Sequence, residues 1–584
     1  MNMLGNPSRV VRFGVFELDL QARELRKRGL RLRLEEKPLR ILELLLERPG
    51  ELVTRNLLRE KLWPDTFVNF DYSLNTAVNK LRQALGDSAN SPRFVETMAR
   101  RGYRFIGSVE APGSPAPALP PIHPGVSSIA ALPFRNASGE PEMDYLSDGV
   151  TEAIIRSLSR MPDLRVMAWN TVLRYKGKEF DPRSIGQDLR VQALLVGKIL
   201  QHGDDLMMSA ELVDANTGWR LWGEEYKRQR NDILQLQEEI VREISEKLRS
   251  RLAEEEKKRL AKRYTSNLDA YSDYLKGRYH WHQLHGDGLK KSVLYFQQAI
   301  EKDPSFALAY SALADAYILF AFVGVLPPKE AIPLARRAAL SALAIDNELA
   351  EAHAALASIR KSYDWDWVAA ELEYKLCLQL NPSNAIAHRG YADFLSALGR
   401  VNEAMAEIRQ AQELDPLSIV ISVELAWGLY MARDYPRSME ESLKTLRMEP
   451  EFPAAYHSLG LALEQMGKYD EAIEAFEKAR DRSGAHPSTL AGLGHAYALQ
   501  GRRDGAKKIL QQLNEASSKT YISPCWLAIV HAGLEEKDGA MEQLEQAFEA
   551  HDVWLVWLKA EPRFDVLRSD ARFQDLQRRV RFPD

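Results

Sequence analysis

Between Tyr72 and Leu85 the apolar residues Leu74, Val78, Leu81 and Leu85 recur at three- and four-residue intervals, which sets them on one arc of a helix. Tyr72, Asn75, Thr76, Asn79, Arg82 and Gln83 are read on the opposite face, with Lys80 at its edge. One side can pack and the other is free to touch something. Upstream, the alternation in VRFGVFELD predicts a strand over Val11–Asp19, followed by short strands at Glu24–Lys27 and Arg31–Leu34. A helix is predicted from Lys37-Pro38 to Glu47, proline being tolerated in a first turn, and a second from Arg55 to Leu62 with Thr54 as its cap. Trp63 could donate to a phosphate, but core filling is the preferred reading. Downstream, extended runs at Arg93–Thr97 and Tyr103–Phe105 flank a basic tip, Met98-Ala99-Arg100-Arg101-Gly102.

The pattern then changes twice. Pro112–Ser128 holds six prolines in seventeen residues without periodicity, the composition of an extended spacer reaching about 50 Å. An α/β pattern follows, with strands at SIAALPF from Ser128, Leu164–Ala168, Ala193–Gln201, Asp205–Asp214 and Arg220–Glu225. Its helices are expected at Asp144–Met161, Ser184–Leu189 and Ile233–Lys262. Beyond that the chain repeats: Asn381-Pro382, Asp415-Pro416 and Glu449-Pro450 are spaced by 34 residues, with recurring Gly, Ala and Tyr between them. A period of 34 with a terminal proline is the signature of tetratricopeptide repeats, helix pairs that stack into a superhelix. About seven or eight units are expected, the last ones irregular.

Composition sharpens this division. At 584 residues the chain should form several domains. The net charge of −4 conceals a basic start, residues 1–110 carrying 20 Lys/Arg against 14 Asp/Glu. A polyanion therefore suits the first module only. The two cysteines, Cys377 and Cys525, lie in helical patterns and read as buried thiols of a reducing compartment. No charged-then-apolar leader opens the chain, and its longest apolar run, Tyr317–Leu326, is about half of what crosses a bilayer.

NKLRQALGD followed by PRFVETMARRGYRF resembles the recognition helix and C-terminal hairpin of OmpR- and ToxR-type winged helix-turn-helix regulators, over roughly Phe13–Val109. The resemblance implies that Asn79, Lys80 and Arg82 approach DNA, with Tyr72 and Thr97 nearer the backbone. Ala99 stands where an arginine is common, so Arg100 and Arg101 are expected to supply the tip contacts. Amide side chains can pair with adenine and cations with guanine or phosphate, so Asn75, Asn79, Lys80 and Arg82 would discriminate bases, and Thr76 shares their face. The middle region (IAALPFRN, YLSDGVTEAI, LLVGKI, ELVDANTGWRLWGEEY) resembles a TolB-like domain, of a kind often found between DNA-binding or cyclase modules and helical repeats.

The expected architecture is thus a winged helix (α+β) over 10–110, a proline-rich linker over 111–126, a TolB-like α/β domain over 127–263 and an all-α tetratricopeptide superhelix over 264–584. No catalytic, cofactor or metal site is expected. His280, His282 and His285 lack a completing ligand, Asp148-Gly149 and Asp214–Gly218 read as a helix cap and a turn, and no Walker loop, GxGxxG or GxSxG motif stands out. The expected function is that of a cytoplasmic transcription regulator. Its expected partners are duplex DNA, bound singly or as a homodimer, and a protein or peptide in the repeat groove, with no membrane. The alternatives are a repeat-built scaffold whose winged helix docks proteins, and a cyclase-related enzyme.

Overall fold

The computed structural model describes residues 10–583, apart from 14, 15, 21, 28, 29, 33, 64–69, 86, 88, 90, 91, 99, 100, 108, 110–125, 140–142, 162, 179, 180, 204, 230, 231, 249–263 and 283–285. The chain divides into two compact units, residues 1–123 and 124–584.

In the first unit the run read as one strand over Val11–Asp19 is a hairpin, β1 (Val10–Phe13) pairing with β2 (Phe16–Asp19). The reason lies in Phe13 and Phe16. Three residues apart, they would face opposite sides of one straight strand; the hairpin buries both and stacks their rings 5.5 Å apart. β3 (Glu24–Lys27) and β4 (Leu30–Leu32) complete an antiparallel sheet in the order β1-β2-β3-β4. Then come α1 (Glu36–Leu46), β5 (Leu52–Thr54), α2 (Arg55–Leu62) and α3 (Phe70–Leu85). β6 (Val95–Met98) and β7 (Gly102–Phe105) join β5 in a second sheet, ordered β5-β7-β6. Ile41, Leu42 and Leu45 of α1, Leu58 of α2, and Leu74 and Leu81 of α3 are all fully buried in one core. Thr54 caps α2 as expected, its Oγ1 accepting from the Leu57 amide at 3.3 Å. Trp63 is core, set edge-on to Phe70. Gly102 is required where β7 crosses β5, since a Cβ there would lie 2.1 Å from the Val53 carbonyl oxygen.

The second unit opens with β8 (Ser128–Ala131), β9 (Arg135–Asn136), α4 (Asp144–Leu158), β10 (Arg165–Val166), α5 (Trp169–Leu173) and α6 (Pro182–Leu189). It continues through β11 (Ala193–His202), β12 (Asp205–Asp214), β13 (Arg220–Gln229) and α7 (Ile233–Leu248). The sheet runs β10-β8-β11-β12-β13, with β9 also on β11. β8 is parallel to β10 and β11, whereas β11, β12 and β13 form an antiparallel meander. The α7 continuation expected toward Lys262 falls outside the described residues.

Eight helix pairs follow among the described residues, from Leu268–His282 with Gly286–Lys302 to Pro524–Gly533 with Lys537–Glu549. The repeating prolines mark helix ends as expected: helices stop at Leu380, Leu414 and Met448, each just before an X-Pro pair. Two 3₁₀ segments, Val553–Trp557 and Pro562–Leu567, and a helix at Ala571–Arg579 end the chain.

Distant repeats of the array touch. The Thr520 hydroxyl, past the seventh pair, donates to the Gly324 carbonyl of the second at 3.2 Å. The terminal segment lies against the first helices of distant pairs, so it occupies the interior of the curve. Trp554 meets Phe322 and Trp526, Trp557 meets Trp427, and Glu561 accepts from the Tyr430 hydroxyl at 2.7 Å. The α/β layer also packs on the array and shares one hydrophobic core with its first repeats. Arg156 donates to the Tyr274 hydroxyl at 3.0 Å, and Ser383 to the Leu164 carbonyl at 3.0 Å.

Candidate nucleic-acid interface

α3 presents its two faces as its sequence pattern requires. Leu74, Val78 and Leu81 are at most 1% exposed, while Asn75, Thr76, Asn79, Lys80 and Gln83 are exposed. The exposed row is a ridge of amides, a hydroxyl and an ammonium on a rod narrow enough for a major groove.

Not every expected residue belongs to that ridge. Arg82 is a correction: it is 6% exposed, and its Nη2 donates to the Val95 carbonyl and the Thr97 hydroxyl, each at 2.7 Å. The cause is angular. Four residues after Val78 and three before Leu85, Arg82 borders the apolar arc by about 40° and 60°, so its long stem is drawn inward. Thr97 is held by the same bond. These two side chains join α3 to β6.

Asn75 is exposed yet committed. Its Oδ1 accepts from the Tyr103 hydroxyl at 2.9 Å and from Arg55 Nη2 at 3.3 Å. Both lone pairs are then used, leaving only its Nδ2 donors for a partner, so the paired donor–acceptor contact to adenine falls to Asn79. Lys80 forms an exposed ion pair with Glu35 at 2.5 Å, a contact weak enough in water to yield to phosphate. Arg101 is exposed at the hairpin tip, anchored by its amide on the Met98 carbonyl at 2.9 Å. The Tyr72 side chain and all of Arg100 lie outside the described residues.

Two organising residues carried no sequence motif. Arg55 ties the start of α2 to α3 and the hairpin. Its side chain pairs with Asp71 at 2.7 Å and its amide donates to the Arg101 carbonyl at 3.1 Å. Asp87 accepts from the amides of Arg93, Phe94 and Val95 at 2.6–3.1 Å, fixing the entry to β6.

Among the described residues, no group of three or more His, Cys, Asp or Glu is placed to hold a metal ion. His280 stacks on Tyr295, and the side chains of His282 and His285 lie outside the described residues. Burial pushes the Cys377 and Cys525 thiols upward, away from the reactive thiolate. No described helix is long and apolar enough to cross a membrane.

The fold and this ridge define a winged helix joined to a tetratricopeptide array. Residues 29–105 match the family described as "Transcriptional regulatory protein, C terminal", and residues 390–416, 423–487 and 463–521 match tetratricopeptide repeat families. The middle region matches "HilA/YgeH-like transcriptional regulator, second domain" over residues 125–244. The chain is similar to "Putative adenylate cyclase 3" of Rhizobium meliloti, 35% identical over 33% of each chain. It is also similar to "Transcriptional regulator HilA" of Salmonella typhimurium, 23% identical over 67% of this chain and 68% of that one. The "Cholera toxin homolog transcriptional activator" of Vibrio parahaemolyticus is 46% identical over 21% of this chain and 43% of its own. The chain thus spans about a third of the first of these relatives and about two thirds of the second. Among solved structures, the Klebsiella pneumoniae RstA DNA-binding domain in complex with the RstA box is 26% identical, with TM-score 0.16, over 17% of this chain and 97% of its own. Yeast Tom70 is 16% identical, with TM-score 0.37, over 54% of this chain and 68% of its own.

Proposed function

We propose that the protein is a DNA-binding transcription regulator that places α3 in a major groove and the β6–β7 tip on the flanking backbone. The observation that supports this best is the α3 ridge: its apolar side is consumed by the core while Asn79, Thr76, Lys80 and Gln83 stay exposed. Asn79 would read a base edge, Lys80 would exchange Glu35 for phosphate, and Arg101 would contact the backbone. The regulator names of two relatives support the same reading, and a regulator of this kind would work in the cytoplasm. No chemistry on a substrate is invoked, and turnover of a nucleoside triphosphate by the purified chain would overturn that part.

The array serves protein contacts in this reading, but a peptide entering along its first helices would meet residues 552–567, which already lie against Phe322, Trp427 and Tyr430. A protein partner is therefore better served by the outer surface.

Mapping bound genomic fragments tests the proposal. Recovery of one shared sequence, bound with an affinity that falls steeply with added salt, is expected. Protein capture with no enriched DNA would instead favour a scaffold.

A further inference from the structure

β13 is the outermost strand of its sheet and ten residues long, and no described strand pairs with its outer edge. Three contacts identify the backbone groups on that edge. The Gly223 carbonyl accepts from Arg220 Nη2 at 2.6 Å, the Lys227 carbonyl accepts from Arg228 Nη1 at 3.0 Å, and the Gln229 amide donates to Asp232 Oδ2 at 3.3 Å. Alternate residues of an antiparallel strand turn both polar groups the same way. Residues 223, 225, 227 and 229 therefore present a row of N–H and C=O groups outward, the template to which a further strand adds.

The side chains say which strand fits. Glu225 and Lys227 are exposed, two residues apart on one face, and neither has an ionic partner among the described residues. They form no ion pair with each other along the strand, unlike Glu24 and Arg26 of β3. A two-fold axis through the edge lays residues of equal parity opposite one another. Centred on Glu224 or Glu225, it opposes a glutamate to itself. Centred on Tyr226, it sets Glu225 opposite the partner's Lys227 and Glu224 opposite the partner's Arg228, each pair occurring twice. The same register sets the outward-turned residues 225 and 227 in mutual hydrogen-bonded pairs, and 223 with 229. Beside Lys227 on that face lie Met207 and Leu200, 41% and 36% exposed.

We propose that β13 is a dimerisation edge: two copies of the chain pair this strand antiparallel about Tyr226 and continue one sheet into the other. Pairing exchanges the Arg220 and Arg228 contacts on the edge carbonyls for N–H groups of the second copy. The two arginines retain their ion pairs with Glu211 and Glu239. The inference stands apart from the DNA reading, because its test reads mass and not affinity for DNA.

The test is sedimentation velocity of the full chain across a concentration series. The wild type should show a monomer–dimer equilibrium. Glu225→Lys or Lys227→Glu alone should weaken the dimer by on the order of tenfold, because each places like charges opposite one another twice. The double variant Glu225→Lys/Lys227→Glu should restore it. Unchanged melting of all three variants, expected for exposed unpaired side chains, keeps the comparison valid. Amide exchange of the wild type at residues 225 and 227 should slow with concentration, which reads the edge without any substitution. A wild type that stays monomeric, single variants of wild-type mass, or a double variant that fails to recover would each overturn the proposal.

Discussion

Arg82 reaches from α3 to Thr97 on β6, its Nη2 lying 2.7 Å from the Thr97 hydroxyl and equally close to the Val95 carbonyl. A guanidinium that joins helix to hairpin is part of the scaffold. Arg82→Ala should therefore cost about 1.5–3 kcal/mol of stability, the range for hydrogen bonds to a charged group. DNA binding should weaken only in step with unfolding. Melting and DNA titration of the same sample check this; lost binding at unchanged melting temperature would return Arg82 to the interface.

The Tyr103 hydroxyl holds Asn75 in place. Tyr103→Phe should cost about 1 kcal/mol, as for one neutral hydrogen bond. Asn75→Ala should harm DNA affinity less than Asn79→Ala, because the Asn75 oxygen is already engaged. Parallel titrations of the two alanine variants decide the order.

The terminal segment holds a buried ion pair, whose Glu561 also accepts from Tyr430 of the array. Glu561 accepts from Arg563 Nε and Nη2 at 2.9 Å each, and the Arg563 side chain has no exposure. Against burial, which would raise it, the Arg563 charge and hydrogen bonds hold the Glu561 carboxyl below its usual range. Glu561→Gln leaves the guanidinium uncompensated and should cost about 3–5 kcal/mol. Replacing both residues, as Glu561→Gln/Arg563→Met, should recover part of that loss. Chemical denaturation followed through tryptophan fluorescence measures both.

His457 sets an acid limit. Burial, then the nearby Arg563 and His486 charges, push its pKa down to about 3, with Glu561 opposing. Its folded value lies below the unfolded one, so the unfolded chain binds the proton first as pH falls. Stability should decline between about pH 6.5 and 3, by at most about 1.4 kcal/mol per pH unit for this one proton. His457→Phe should remove that share of the slope, measured as the difference between the two denaturation curves across the same pH series.

The parts of the fold easiest to read were those whose period is imposed by packing. The four apolar positions of α3 and the 34-residue spacing of X-Pro pairs each report a repeated burial requirement, and the helices follow them. Reading failed where a side chain's length outweighed its angle. Arg82 borders the buried arc and is long enough to turn in, which a count of polar positions does not register. VRFGVFELD satisfies two alternations at once, and only the joint burial of Phe13 and Phe16 selects the hairpin. The filled interior of the array was out of reach for another reason. Glu561 meets Tyr430 across 131 residues, and no local pattern carries that pairing.

The exposed ridge of α3 carries the functional account, and Asn79 tests it most directly. An equilibrium titration of the full chain, wild type and Asn79→Ala, against a DNA fragment recovered by genomic mapping and against unrelated DNA is the decisive measurement. The account predicts that Asn79→Ala loses about 1–3 kcal/mol of preference for the recovered fragment, with melting and binding to unrelated DNA unchanged. Equal preference in the two proteins would contradict it.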